Sequence, residues 1–173
     1  MTINCKGTLV DISSPKVMGV LNITPDSFFD GGRYKNDTQI LSQVEKMLTE
    51  GATFIDVGAY SSKPGAIHIS EDEELKRIVP VIDLLLKNFP EIILSIDTFR
   101  SKVAQETIHT GAAIINDISG GKMDNDMFAT VANLKVPYIL MHMQGTPQNM
   151  QQNPPRQAFH FSAQKLARVG VFQ

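Results

Sequence analysis

The sequence predicts an α/β protein of the (β/α)8-barrel type, incomplete at five parallel βα units and preceded by a β-hairpin. Three observations predict it. Short β-branched runs bounded by Gly, Pro or Asn alternate with longer segments of helical period, the mark of βα units and a parallel sheet. The first parallel strand runs into Asn22-Ile23-Thr24-Pro25-Asp26-Ser27, where a dinucleotide-binding sheet would carry a glycine-rich turn. Four strands in succession finish with Asn22, Asp56, Asp97 and Asn116, Asp56 standing one residue before its strand's end, and a barrel keeps its chemistry at such ends.

Taken in order, Thr2–Cys5 and Thr8–Ile12 flank Lys6-Gly7, a two-residue turn suited to a hairpin outside the parallel sheet. Strands follow at Val17–Asn22, Thr53–Val57, Ile92–Asp97, Ala113–Asn116 and Pro137–Met141. Asn36 is placed to open a helix with Ile40, Leu41, Val44 and Leu48 on one face, closed by Gly51. Ser70 and Glu73 form a capping box for Glu71–Lys87, in which Pro80 removes a backbone donor and is expected to kink the helix. Helices at Ser101–Thr110, ended by Gly111, and Asp124–Leu134 complete the alternation.

With 173 residues, 42% hydrophobic and 20% charged, the chain has the composition of one globular domain. Sixteen basic against eighteen acidic residues give a net charge of −2 with no basic run, which argues against a nucleic-acid partner. The longest apolar stretches, such as Val79–Leu86, are far shorter than the roughly 20 residues of a membrane span, so no membrane partner is expected. Lone Cys5 and an N-terminus without an apolar leader point to the cytoplasm.

Taken singly, an Asp or Asn after a strand is a turn former or a cap. Four in succession, with Met18, Val20 and Asn22 on one strand face and Phe54 and Asp56 on one face of the next, can converge on a small ligand. Asp97 and Asn116, from adjacent strands, suit the donor–acceptor edge of a planar heterocycle, and a cyclic amidine or guanidine would match Asp97. The loops Ile23–Lys35 and Gly58–Ile69 run about a dozen residues each, a length more often functional than not. Ser61-Ser62-Lys63-Pro64-Gly65 reads equally as an anion site or a solvated loop. Asp26 and Asp30 could cap turns or join Asn22 around Mg²⁺. His68, His109, His142 and His160 show no ligand spacing, and His142 reads as structural.

The segment Gly19-Val20-Leu21-Asn22-Ile23-Thr24-Pro25-Asp26-Ser27-Phe28-Phe29-Asp30-Gly31-Gly32 closely resembles the first signature of the dihydropteroate synthase family. Gly51–Gly58 with Lys63-Pro64-Gly65-Ala66 resembles the second. Ser95-Ile96-Asp97-Thr98, Ile115–Gly121 and Met141–Pro147 follow in the family's order, so the resemblance covers about residues 1 to 153. It implies a pterin-binding barrel that condenses 6-hydroxymethyl-7,8-dihydropterin diphosphate with 4-aminobenzoate in folate biosynthesis, uses Mg²⁺, is a target of sulfonamides and forms a homodimer at full length. It assigns catalytic roles to Ser62, Lys63 and Asp56, and substrate binding to Asp97, Asn116, Ser62, Lys63, Pro64, Ile118 and Met141. Asn22 is the implied metal ligand. Lys63 stands where the family usually has Arg, which keeps the charge and gives up the planar fork.

A barrel of this type needs about 250 residues. The chain is therefore expected to be one truncated domain over 1–173, with a tail at 154–173 that departs from the family pattern, lacking a late pterin-binding acid, an active-site lysine and a terminal anion site. Two other readings are a catalytically incomplete pterin-binding or interaction module and a methyltetrahydrofolate-binding methyltransferase domain. The Thr-Pro-Asp-Ser-Phe loop and Ser-Lys-Pro-Gly-Ala segment favour the synthase over the methyltransferase.

Overall fold

The computed structural model describes residues 1–23, 33–61 and 68–141, with side chains at 33–36 outside the description. The elements are β1 (Thr2–Cys5), β2 (Thr8–Asp11), β3 (Val17–Asn22), α1 (Arg33–Thr49), β4 (Ala52–Gly58), α2 (Glu71–Asn88), β5 (Leu94–Asp97), α3 (Ser101–Thr110), β6 (Ile114–Asp117), α4 (Met127–Leu134) and β7 (Tyr138–Leu140). β1 and β2 pair antiparallel by themselves, and β3 to β7 form a five-stranded parallel sheet in chain order. A parallel sheet ordered as the chain runs, with a helix returning between strands, is a stretch of barrel wall.

The hairpin turn has φ of +51° at Lys6 and +92° at Gly7, the doubly left-handed geometry that matches strand twist. Asn4 Oδ1 accepts from the Gly7 amide at 2.7 Å and holds it. Ile3, Cys5 and Val10 of this hairpin bury against Phe54, Ala113 and Ile114, with Met18, Ile93 and Ile139 alongside, so the hairpin stoppers the N-terminal end of the sheet's inner face. The opposite face carries Leu21, Ile55, Val57, Leu94, Ile96 and Ile115, packed on Val44, Ile78, Ile82, Leu85 and Val103 of the helices. Gly19 lets α1 approach, since a Cβ there would stand 2.6 Å from Met47 Sδ.

Several element ends differ from the sequence reading. Asn36 lies inside α1 rather than before it, because no Gly or Pro stands between Gly32 and Asn36 to stop the helix earlier. The last helix begins at Met127, not Asp124. Asp124 serves both helices: Oδ1 accepts from the Asp126 amide at 2.9 Å just before α4, and Oδ2 accepts from the Ser101 amide at 2.7 Å, capping α3, whose own N-cap residue Arg100 makes no side-chain cap. The capping box of α2 forms by half, with Ser70 Oγ accepting from Glu73 N at 3.2 Å while the Glu73 carboxylate accepts from Arg77. That helix is continuous through Pro80. Strand β5 is shorter than Ile92–Asp97, β6 shifts by one residue, and β7 is one residue shorter at each end than Pro137–Met141. β3 and β7 are edge strands, which leaves Val20 57% exposed although it faces inward, and Leu140 49% exposed on the other face.

Candidate functional site

Register decides where the polar strand ends meet. Asn22 pairs with Gly58, Gly58 with Asp97, Asp97 with Asn116 and Asn116 with Ile139, which makes one tier across five strands. One step deeper, Val20, Asp56, Ser95 and Ile114 form a second tier. Because strand side chains alternate with period two, both tiers point to the inner face, the upper at the C-terminal rim.

Gly58 is the flat spot of the upper tier. A Cβ built there would stand 3.3 Å from Asp97 Oδ2 and 3.4 Å from Asn22 Oδ1, so the glycine leaves those two oxygens facing each other over bare backbone. Asn22 is exposed, while Asp97 and Asn116 are half-buried. The sequence reading placed Asp56 among the residues at a common opening; the structure sets it deeper, 4% exposed, with Oδ2 accepting from Asn116 Nδ2 at 2.9 Å. Asp56 Oδ1 and the hydroxyl of Ser95 are buried with no hydrogen-bond partner among the described residues.

Charge in the site is one-sided. Asp97 accepts no hydrogen bond among the described residues, and burial, followed by the carboxylates of Asp56, Glu74 and Asp117, pushes its pKa up to about 7. Burial also raises Asp56, against the downward pull of Ser95 and Asn116. A pocket so arranged favours a ligand edge rich in N–H donors, or a cation. Among the described residues no three His, Cys, Asp or Glu side chains gather as a metal site. Asn22 offers one hard oxygen at the rim, which fits Mg²⁺, an ion that keeps several waters and takes further oxygens from a substrate phosphate.

Ile118 is half-buried in the turn after β6, and Met141, 37% exposed, follows β7 with its amide donating to Asp117 O at 3.2 Å. Ser62, Lys63, Pro64, Asp26, Asp30, His142 and the 154–173 tail lie outside the described residues. His68 is met by Tyr60, whose hydroxyl stands 3.1 Å from Nδ1.

Two polar clusters escaped the sequence reading. Glu74, fully buried on α2, accepts from Thr98 Oγ1 at 2.8 Å and from Arg100 Nη1, while Arg100 Nη2 donates to Ile69 O at 2.6 Å. The Arg100 guanidinium also lies 5.3 Å from the Tyr60 ring and 5.0 Å from that of Phe99. A signal was present, since Glu74 occupies the stripe continued by Ile78, Ile82 and Leu85. Asp117, also fully buried, accepts from Tyr138 Oη at 2.6 Å and from the amides of Ser119 and Gly121 at 2.7 and 2.8 Å. It builds the turn after β6, where Gly120 and Gly121 take φ of +60° and +77°.

Comparison with known proteins follows the same lines. The family model described as "Pterin binding enzyme" matches residues 18–167. The chain belongs to the pterin binding enzymes. It is 42% identical over 154 residues to a dihydropteroate synthase of Escherichia coli, covering 89% of this chain and 54% of that protein. It is 52% identical over 134 residues to a folic acid synthesis protein of Pneumocystis carinii, covering 78% of this chain and 18% of that longer protein. Among solved structures, Yersinia pestis dihydropteroate synthase with a sulfonamide drug complex aligns at a TM-score of 0.79 and 40% identity, over 99% of this chain and 65% of that one. Xanthomonas albilineans dihydropteroate synthase in complex with 7,8-dihydropteroate aligns at 0.72 and 33% identity, over 83% and 52%. This family member thus spans about half the length of the bacterial curated relative. No helix among its described residues is long and apolar enough to cross a membrane.

Proposed function

We propose that this chain carries the pterin-binding part of a dihydropteroate synthase, acting on 6-hydroxymethyl-7,8-dihydropterin diphosphate and 4-aminobenzoate. The observation that carries the reading is the upper tier, Asn22, Gly58, Asp97 and Asn116, at the C-terminal rim of a barrel wall belonging to this family. Asp97 would accept from the guanidine-like N–H edge of the pterin, beside Asn116. Asp56 steadies Asn116 from below. Ser62 and Lys63 would hold the diphosphate, with Pro64, Ile118 and Met141 against the substrates and Asn22 toward Mg²⁺. When bound, Mg²⁺ supplies positive charge at the diphosphate oxygens.

The chemistry needs no protein nucleophile. As the methylene C–O bond breaks, positive charge grows on carbon and negative charge on the departing diphosphate, where Ser62 and Lys63 act. The amine nitrogen of 4-aminobenzoate forms the new C–N bond, diphosphate leaves, and the amine proton passes to solvent. Sulfonamides, which mimic the aminobenzoate, would compete at the same place. We extend the reading to a homodimer at full length on the family resemblance. An unpaired, buried Cys5 suits a reducing compartment such as the cytoplasm.

The test is dihydropteroate formation by the purified chain from the two substrates, with Mg²⁺ and then with chelator. Metal-dependent product supports the synthase reading. Tight binding of the pterin with no product makes the chain a catalytically incomplete pterin-binding module, and no binding by folded protein overturns the reading.

A further inference from the structure

The lower tier holds two buried polar atoms that nothing among the described residues satisfies. Asp56 and Ser95 are register partners on β4 and β5, 4% and 0% exposed, and both face inward. Asp56 Oδ1 and Ser95 Oγ each lack a hydrogen-bond partner. Buried groups are seldom left so, because an unmatched one forfeits its hydration. The other oxygen of Asp56 takes a hydrogen from Asn116 Nδ2. A carboxylate can only accept there, so Asn116 must give its N–H₂ end downward and keep its carbonyl oxygen for the upper tier. That leaves two acceptors side by side above, Asp97 and Asn116 Oδ1, a surface for a donor-rich edge.

Resting on the pterin-binding reading, we propose that Ser95 is a positioning residue, sharing one bound water with Asp56 Oδ1, so that Asp56 stays fixed beneath Asn116 and sets which end of that amide reads the ligand. Water is the fitting occupant because the pair lies two residues below the rim tier, about 7 Å along the strands, beneath a ring held by Asp97 and Asn116. Register partnership on one face sets the Ser95 hydroxyl beside the Asp56 carboxylate, and its downward pull on the Asp56 pKa agrees with that placement. Ser95 touches no substrate in this arrangement; it acts through Asp56.

The experiment measures binding of 6-hydroxymethylpterin and of the corresponding lumazine, which replaces the 2-amino donor by an oxo acceptor, to the 173-residue chain by calorimetry. The parent chain is expected to prefer the pterin. Ser95→Ala should weaken pterin binding about five- to tenfold and cut that preference, with an unchanged melting temperature, since the hydroxyl removed has no protein partner. Ser95→Thr keeps a hydroxyl and should retain the preference. In an Asp56→Asn background Ser95→Ala should add little. Ser95→Cys, with a weak donor at the same γ position, should reproduce the loss and serves if the alanine variant does not fold. A Ser95→Ala chain that binds and discriminates as the parent does overturns the Ser95 assignment and leaves the pterin reading standing. A parent chain that binds neither ring overturns both.

Discussion

Glu74 and Asp97 are both carboxylates drawn away from water, Glu74 fully and Asp97 in part, and they are treated in opposite ways. Glu74 is surrounded by matched groups: a hydroxyl from Thr98, a guanidinium from Arg100, and through Arg100 the carbonyl of Ile69. Asp97 has other carboxylates for neighbours and no donor among the described residues. The first arrangement is what a fold requires of a buried charge, whereas the second is tolerated only where a ligand is to bring the missing donors. Partnering separates the structural acid from the one proposed to meet a ligand.

Breaking the first cluster should have the largest effect. Glu74→Ala leaves Arg100 as an uncompensated buried cation and is expected to cost about 3–5 kcal/mol. Urea unfolding followed by circular dichroism reads it, and a loss below 1 kcal/mol would erase the contrast.

The second cluster predicts the opposite sign. Asp97 holds its proton up to about pH 7 when folded and to about pH 4 when unfolded, so between those values the folded state binds more protons. The Asp97 contribution to stability therefore falls as pH rises from about 4 to 7, and levels off above. Asp97→Asn should remove Asp97's share of that slope and stabilise the chain at pH 8 by about 1–3 kcal/mol, while pterin binding weakens by about 1–3 kcal/mol. Melting curves across pH, paired with calorimetry, test both halves. A variant less stable at pH 8 would mean that Asp97 has a partner after all.

Smaller changes sharpen the comparison. Tyr138→Phe removes one donor from Asp117 while two backbone amides remain, and should cost about 1 kcal/mol in thermal unfolding. Gly58→Ala puts a methyl 3.3–3.4 Å from Asp97 and Asn22, close enough to nudge both. Stability should change by less than about 0.5 kcal/mol, with Mg²⁺-dependent pterin binding reduced severalfold. A stability loss exceeding the binding loss would make Gly58 a packing glycine.

The contrast also explains what the sequence could disclose. The run of parallel strands, the hairpin and the Asn22, Asp97 and Asn116 members of the upper tier were legible because each rests on local signals: period-two alternation, a Lys-Gly turn, and Asn or Asp at strand ends. Asp97 and Asn116 could be placed side by side on that basis, and β4 to β6 pair as required. The Glu74–Arg100 pair was not legible, since its members are 26 residues apart and only the packing of α2 against the start of α3 brings them together. The depth of Asp56 was hidden for a related reason. Alternation tells which face a side chain takes, and the level along the barrel depends on how adjacent strands are staggered. Asp124 shows the same limit, since its sequence position marks the start of the helix that follows, whereas its second oxygen also caps the helix before, 23 residues away.

The hairpin at the N-terminal end has one more consequence. With Ile3, Cys5 and Val10 seated against Phe54 and Ile114, the inner face is stoppered at its N-terminal end, so water reaches the polar tiers only from the rim and past the open edges at β3 and β7.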